Sequence, residues 1–523
     1  MGRKILFITT DQQRYDALRC NGGLIARTPA ADALAAAGVR FERAYAQNTV
    51  CMPARSTILT GQYPRTHGVI ANGIPLPVDA PSVAAVLRDA GYRTALIGKA
   101  HFEPVQDPDG KWEENRLSRE GRTGPYRGFE HVEFAGHGPY GSSHYNNWLT
   151  LEHPDKLDGF VPTFDASPGG ETGAPEINYN PVPREAYHTD WIAERVVAWL
   201  DTLDPDDDWF CWVSFPDPHH PWDPPASERH RVDWRDLDLP AGHPGSADRV
   251  REVLADKPAH WLAWYEGRVP NVDAAPGNFI PAQLTGNQLR EISALIHIEN
   301  EMLDEACARI IGHVESRDWG ADTDIVLSTD HGEFQGDFGL LYKGPYHVDS
   351  LMRLPLIWRP APSAGVVPAV VSEPVGQVDL AATFCQIAGV AVPEWMEGEP
   401  LPTAPGSGRE RALCEWDSQL DNGYRMRTII RDGWICTVYE ASLQGWGLSS
   451  VQRYHRFGVA PPQERIVYDG TEGELYNLVD DPHQWRNRWN DPALVGLRSD
   501  LVADLYDSLV PPRIPGLTVQ AMA

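Results

Sequence analysis

The chain has 523 residues, 42% hydrophobic and 23% charged, ordinary globular proportions that exclude a collagenous, low-complexity or wholly disordered polymer and allow two or three domains of roughly 150 residues. Its 73 acidic against 45 basic residues give a formal charge of −28, a field that repels polyanions; nucleic acid and anionic membranes are poor partners, and an anionic substrate must be small and captured locally. Seven cysteines, an odd number, stand without C-x-x-C spacing, which points to a reducing compartment. Too few apolar residues precede Thr9 for a signal peptide, and no stretch approaches the roughly 20 apolar residues of a membrane span, so the expected location is the cytoplasm.

Ile5 to Ile8 reads as a buried strand that delivers Asp11 and Gln12 at its C-terminal end. Thr28-Pro29 opens and Gly38 closes an Ala-rich helix. The next helix is expected to start within Pro53 to Arg55 and run to Gly61; Ser82 caps another, Val83 to Ala90, which leads into a strand over Thr94 to Ile97 ending at Gly98-Lys99-Ala100-His101. From about 106 to 183 the pattern loosens into a decorated insertion on the active-site face. A helix over Ala186 to Leu200 and a strand over Trp209 to Phe215 follow, then the rigid turn Pro216 to Pro221. The Trp- and Pro-rich stretch near 222–282 is a second insertion, lining either a pocket or a subunit contact in a homo-oligomer. A long amphipathic helix around Leu289 to Leu303 precedes the strand Asp324 to Leu327, which ends in Asp330-His331-Gly332. Pro355 to Trp358 predicts a strand and Asp379 to Ala388 a helix; Pro393 to Arg411 is the expected linker. Beyond it lie four short strand-like pieces (Ala412 to Trp416, Arg427 to Ile430, Trp434 to Tyr439, Glu474 to Leu478) and a helix around Leu497 to Leu509.

This alternation predicts an α/β fold: a large, mixed but mostly parallel sheet sandwiched by helices, with a smaller C-terminal α+β domain built on an antiparallel sheet. The expected division is 1–395 for the larger domain and 410–523 for the smaller. In an open α/β sheet, residues at the C-terminal strand ends meet at one edge even when they are far apart in sequence, so Asp11-Gln12 and Asp330-His331 are candidates for one site.

The sharpest local signal is Cys51-Met52-Pro53-Ala54-Arg55. A cysteine just before a proline-initiated helix lies in the positive field of exposed amides, and Arg55 one turn on can clamp an anion at the same point. Here the chain resembles the sulfatases of the alkaline phosphatase superfamily, whose C-x-P-x-R signature with a trailing T-G is matched by Cys51, Pro53, Arg55, Thr60 and Gly61. The resemblance implies that a maturation enzyme oxidises Cys51 to formylglycine, whose hydrate attacks sulfur or phosphorus; the second hydroxyl then expels the product by re-forming the aldehyde. It also implies one divalent metal ion held by Asp11, Asp330, His331 and the modified Cys51, with Gln12 as a nearby candidate. Many sulfatases carry Asp-Asp and Asp-Asn where Gln12 and His331 stand here. The imidazole makes Mn²⁺ or Zn²⁺ more plausible relative to Ca²⁺, and is similar to the phosphonate monoester hydrolases and choline sulfatases.

By the same resemblance Gly98-Lys99-Ala100-His101 supplies a sulfate-binding lysine and a histidine that positions the diol or assists its breakdown. His219, in Pro218-His219-His220-Pro221, contacts the leaving group or sulfate, and Lys343 is a second anion-binding lysine. Asn72, in an Asn-Gly turn, and Trp222, beside the His219 turn, are candidate substrate contacts. Near the C-terminus, Glu474-Leu475-Tyr476-Asn477-Leu478 with Asp481-Pro482 matches the family's closing element. The implied activity is hydrolysis of small sulfate monoesters, with Arg55, Lys99 and Lys343 neutralising sulfate oxygens and His219 or Lys343 helping the leaving group. The alternatives are hydrolysis of phosphonate monoesters or phosphodiesters on the same site, and a non-catalytic anion-binding protein in which Cys51 stays a thiol.

Overall fold

The computed structural model describes residues 2–107, 109–139, 141–162, 167–271, 275–276, 278–417, 423–442, 463–513 and 516–520. Eight strands, β1 (Lys4–Thr10), β2 (Val39–Phe41), β3 (Arg93–Gly98), β4 (His131–Phe134), β5 (Trp209–Ser214), β6 (Thr323–Thr329), β7 (Ile357–Arg359) and β8 (Ala369–Val371), form one sheet in the order β8-β2-β7-β6-β1-β5-β3-β4. Only β7 runs against the rest, pairing antiparallel with β6 and β2. The expected mixed, mostly parallel sheet is therefore present.

Side-chain alternation divides this sheet between two cores. Leu6 and Ile8 of β1 enter one, with α4 (His188–Leu200) and α5 (Gly286–Ser316) packed over it. Ile5 and Phe7 enter the other, against α2 (Cys51–Thr60), α3 (Val83–Asp89) and α6 (Asp379–Ala388). On the first face α1 (Pro29–Ala37) adds Ala31 and Leu34. Each fully buried aliphatic or aromatic side chain contributes roughly 1.5–3 kcal/mol, so both faces hold the strand ends rigidly. The helix signals act as expected: Ser82 Oγ accepts from Ala85 N, and Thr285 with Gln288 forms a capping box at the start of α5.

Two local expectations are corrected. Helix α2 begins at Cys51 rather than within 53–55, because first-turn amides have no intrahelical partner and Pro53 sits third in the helix without cost. The 106–183 segment is not merely loop: it supplies β4 at the sheet edge and the helices Glu113–Glu120 and His144–Glu152.

A second sheet of four antiparallel strands, β9 (Arg411–Asp417), β10 (Arg425–Arg431), β11 (Trp434–Glu440) and β12 (Gly473–Asn477), carries α7 (Val495–Ser508) on one face. Trp416, Met426 and Tyr439 of this sheet belong to the same apolar cluster as Leu6. The seam is aromatic, with His260 bonded to the Tyr468 hydroxyl through Nδ1 (2.7 Å) and to the Pro345 carbonyl through Nε2 (2.9 Å). The 222–282 segment, expected at a pocket or subunit contact, packs Trp261 and Trp264 against Phe334 and Tyr346. Among the described residues no helix is long and apolar enough to cross a membrane.

Strand β3 reaches the active edge through Gly98, which has φ +112° and would place a Cβ 1.8 Å from the Ser214 carbonyl oxygen. Gly98→Ala is expected to lower stability by more than about 2 kcal/mol in urea unfolding, since both the backbone conformation and the β3–β5 spacing must yield.

Candidate active site

Four chain segments converge at the C-terminal edge of the sheet. Asp11 follows β1, Lys99 and His101 follow β3, His219 and His220 follow β5, and Asp330 and His331 follow β6; α2 points its first residue, Cys51, at the same place. Cys51 Sγ lies 3.2 Å from His331 Nε2 and 3.8 Å from Asp11 Oδ1. One donor atom from each of Asp11, Cys51, Asp330 and His331 falls within 4.8 Å of the others, and all four residues are buried. His331 Nδ1 lies 3.0 Å from the Gly332 carbonyl, which can only accept, so the ring proton sits on Nδ1 and Nε2 turns a lone pair to the cluster. Gly332 itself leaves no room for a side chain, since a Cβ would lie 1.9 Å from the Ser350 carbonyl oxygen.

Two buried carboxylates this close require countercharge, and Arg55 supplies it. Its Nε lies 2.9 Å from Asp330 Oδ2 and Nη2 3.2 Å from Asp11 Oδ2, while Nη1 donates to the Lys99 carbonyl and Ser214 Oγ, both at 2.8 Å. Fully buried and absent from the cavity wall, Arg55 is not the direct anion clamp expected from the sequence; its fork is spent aligning the carboxylates. Asp330 Oδ1 also accepts from the Gln12 and His331 amides (3.0 and 2.9 Å). Burial alone would push the Asp11 carboxyl up, but Lys99, Arg55 and Lys343 outweigh it and hold it well below the usual carboxylate range. Burial, then the Asp11 charge, pushes the Cys51 thiol up to about 11, so an unmodified Cys51 stays protonated at neutral pH.

Above the cluster opens a cavity of 570 Å³ whose wall includes Cys51, Asn72, Lys99, His101, His219 and Lys343. Lys99 Nζ lies 2.5 Å from Asp11 Oδ2 and 4.0 Å from Cys51 Sγ. Lys343 Nζ donates to Gln12 Oε1, and the Gln12 amide nitrogen in turn meets Glu333 and, at 3.3 Å, His220 Nδ1. Gln12, a candidate ligand by sequence, thus holds the second lysine in place. Asn72 does two jobs: its Oδ1 accepts from Met52 N at 3.0 Å in the first turn of α2, and the residue also faces the cavity. His101 has φ +58° and both ring nitrogens buried without a hydrogen-bond partner among the described residues. Burial, reinforced by Lys99 and Arg55, holds its pKa well below the ordinary histidine range.

Trp222 is the second correction. It is fully buried behind His220, with Nε1 donating to the Pro218 carbonyl (3.0 Å) and its ring stacked on Tyr342, and it does not line the cavity. His219 is on the wall, but its Nδ1 is 2.5 Å from the His220 carbonyl and therefore carries the proton; the neutral ring presents Nε2 as an acceptor, not as an acid. Burial, then His220 and Lys343, holds it well below the histidine range.

Sequence reasoning missed two groups here. His137, in the loosely patterned insertion, faces the cavity and carries no motif that marks it. Glu114 accepts the amides of His101, Phe102 and Glu103 (3.2, 2.9 and 3.1 Å) and thereby fixes the loop that bears His101. Acidic residues in the first turn of a helix, as Glu113 and Glu114 are, are too common to signal that.

Arg55→Met strips the buried Asp330 of its guanidinium and leaves Asp11 to Lys99, and is expected to lower the stability of metal-free protein by about 3–5 kcal/mol, read by urea unfolding. Glu114→Gln can keep the Phe102 and Glu103 amide bonds but sets an amide donor against His101 N, and kcat is expected to fall about tenfold with KM nearly unchanged.

The sulfatase family model matches residues 3–390. The chain is 26% identical to the multifunctional alkaline phosphatase superfamily protein PehA of Trinickia caryophylli, over 95% of this chain and 93% of that protein. It is 25% identical to an N-acetylglucosamine-6-O-sulfatase of Bacteroides thetaiotaomicron, over 92% of this chain and 82% of that one. In fold it is similar to the phosphonate monoester hydrolase SpPMH of Silicibacter pomeroyi, with a TM-score of 0.72 at 24% identity over 97% and 94% of the two chains. With the match covering the whole of the large sheet and every strand end that bears the cluster, the chain belongs to the sulfatase family of ester hydrolases.

Proposed function

We propose that the protein hydrolyses sulfate monoesters, with Cys51 converted by a maturation enzyme to formylglycine and one divalent cation held by Asp11, Asp330 and His331. The observation that carries this reading is the convergence of position 51, that donor set and the ammonium groups of Lys99 and Lys343 at one cavity. The donors fit a cation: two carboxylates, one of them held ionised, and an imidazole nitrogen whose lone pair is fixed by Gly332. Mixed oxygen and nitrogen ligation favours Mn²⁺ or Zn²⁺ over Ca²⁺. When bound, the cation supplies positive charge that attracts a substrate oxygen and lowers the pKa of the nucleophile. Formylglycine supplies a hydrate with two hydroxyls on one carbon, one to attack sulfur and one to expel sulfate.

The chain's own residues do the rest. Lys99 and Lys343 neutralise the non-bridging oxygens as charge develops, from fixed positions in a site largely closed to water. Arg55 keeps Asp11 and Asp330 in register, and Asn72 pins the start of α2 so that position 51 points into the cavity. His101, neutral and with both ring nitrogens unpartnered among the described residues, offers a ring nitrogen to orient a hydroxyl of the diol. Lys99 and His101 together also favour sulfate as the central group, through the match of Gly98-Lys99-Ala100-His101 to the sulfatase element. A small anion, screened from the acidic surface, is the fitting substrate. Hydrolysis of phosphonate monoesters is the second reading, supported by His331 and by a relative named as multifunctional.

In protein from its native host, the Cys51 peptide is expected to show the aldehyde mass and to react with a hydrazide probe; a full complement of free thiol would favour an anion-binding role. On metal-replete protein kcat/KM is expected to be higher for an aryl sulfate than for the matching aryl phosphonate monoester. A tenfold preference for the phosphonate, about 1.4 kcal/mol of barrier, would exchange the two readings. Dialysis against a chelator should abolish turnover, with Mn²⁺ or Zn²⁺ restoring more of it than Ca²⁺.

A further inference from the structure

Three imidazoles, His137, His219 and His220, stand together on the cavity wall. His137 stacks on His219 (centroids 4.4 Å apart, 26° between planes), and His219 stacks on His220 (3.9 Å, 28°). His137 Nε2 lies 3.4 Å from Lys99 Nζ. An ammonium has only donors, so Nε2 must accept, and the proton of the neutral ring is placed on Nδ1. Burial, then the Lys99 charge, holds the His137 pKa well below the ordinary histidine range and keeps that ring neutral. Its Nδ1 is buried and has no hydrogen-bond partner among the described residues, although the residue lines the cavity. A buried N–H without an acceptor costs about 1–3 kcal/mol, so the position is prepared for a group that arrives with the substrate.

The identity of that group follows from the layering. Lys99 touches Asp11 and approaches Cys51, so it belongs with the sulfate oxygens; His137 sits one contact further out, behind Lys99. In an in-line displacement the bridging oxygen leaves on the side of sulfur opposite position 51, and so further out than the oxygens beside Lys99. His219 offers only an acceptor at Nε2 and cannot stabilise charge there. Resting on the sulfate-ester reading above, we propose that His137 is a catalytic residue that donates its Nδ1–H to the leaving oxygen of the substrate. No proton is transferred in this contact. The sulfur–oxygen bond breaks with its electron pair left on the leaving oxygen, a bond from the hydroxyl oxygen at position 51 to sulfur replaces it, and the proton that this hydroxyl gives up reaches the departed oxygen through water.

The test is a series of substituted phenyl sulfates of rising leaving-group pKa, assayed as kcat/KM on metal-replete, formylglycine-containing wild type, His137→Ala, His137→Asn and His137→Gln. An Asn side chain keeps a donor near the place of Nδ1; Gln places its amide further out, near Nε2. His137→Ala is expected to lose about 100-fold on phenyl sulfate and under tenfold on 4-nitrophenyl sulfate, giving a steeper dependence on leaving group. His137→Asn should recover most of that loss and His137→Gln little. Equal losses across the series, or an Asn variant no better than Gln, would overturn the assignment. Should His137→Ala fail to fold, the Asn and Gln slopes alone decide. Wild type that prefers phosphonates refutes the sulfate reading instead, and the same four slopes measured on aryl phosphonates then decide the role of His137.

Discussion

The structure depends on one buried guanidinium. Arg55 spans Asp330 and Asp11, and its other face is tied to β3 and β5 through the Lys99 carbonyl and Ser214 Oγ. Two ionised carboxylates in a site of zero exposure would repel each other and lose their hydration; unpaired, such groups protonate or open the structure. A planar fork with fixed donors holds them apart at a defined spacing and leaves their outer oxygens for Cys51 and His331 to approach. An ammonium in the same place would meet the charge but not the geometry.

That arrangement is possible because a parallel sheet collects strand ends. β1, β3, β5 and β6 all run the same way, so each hands one functional side chain to a single edge, while the return helices cover both faces. The C-terminal ends are where backbone pairing stops and side chains must satisfy one another. The edge is therefore both the least self-sufficient part of the sheet and the most useful. Glycine at 98 and 332 permits the approach: each replaces a side chain with the carbonyl oxygen of a neighbouring segment.

Much of this was legible in the amino-acid order. The apolar runs of β1, β3, β5 and β6 and the Ser82 and Gly38 boundaries are local signals, and the structure repeats them within a few residues. Strand β4 was not legible, because His131-Val-Glu-Phe134 has no long apolar run: Phe134 packs on Tyr126 and His144, while Glu133, on the other face, is buried through its pairing with Arg195. For the site, the chain order named the participants but not their partners. Cys51, Asp11, Asp330 and His331 do meet, and Lys99, His101, His219, Asn72 and Lys343 do face one cavity. Arg55 and Trp222 were assigned to substrate because they neighbour reactive residues in sequence. In space, one serves the carboxylates and the other a stack on Tyr342. Contacts between separate elements are decided by packing, which no spacing rule encodes.

Hydrogen-bond direction carries information that position does not. His331, His219 and His137 are three imidazoles within one site, and each has one nitrogen committed to a partner that can act in only one sense. Carbonyls at Gly332 and His220 force the proton onto Nδ1 of His331 and His219, leaving a lone pair on Nε2 of each. Lys99 forces the same tautomer on His137 from the opposite side, by occupying Nε2, and so leaves a donor rather than an acceptor at Nδ1. Lys99 thus fixes the polarity of its neighbour while holding Asp11 ionised. A cationic niche inside a molecule of charge −28 selects for a small anion, and the directions of its imidazole protons set which atoms of that anion can be received as donors and which as acceptors.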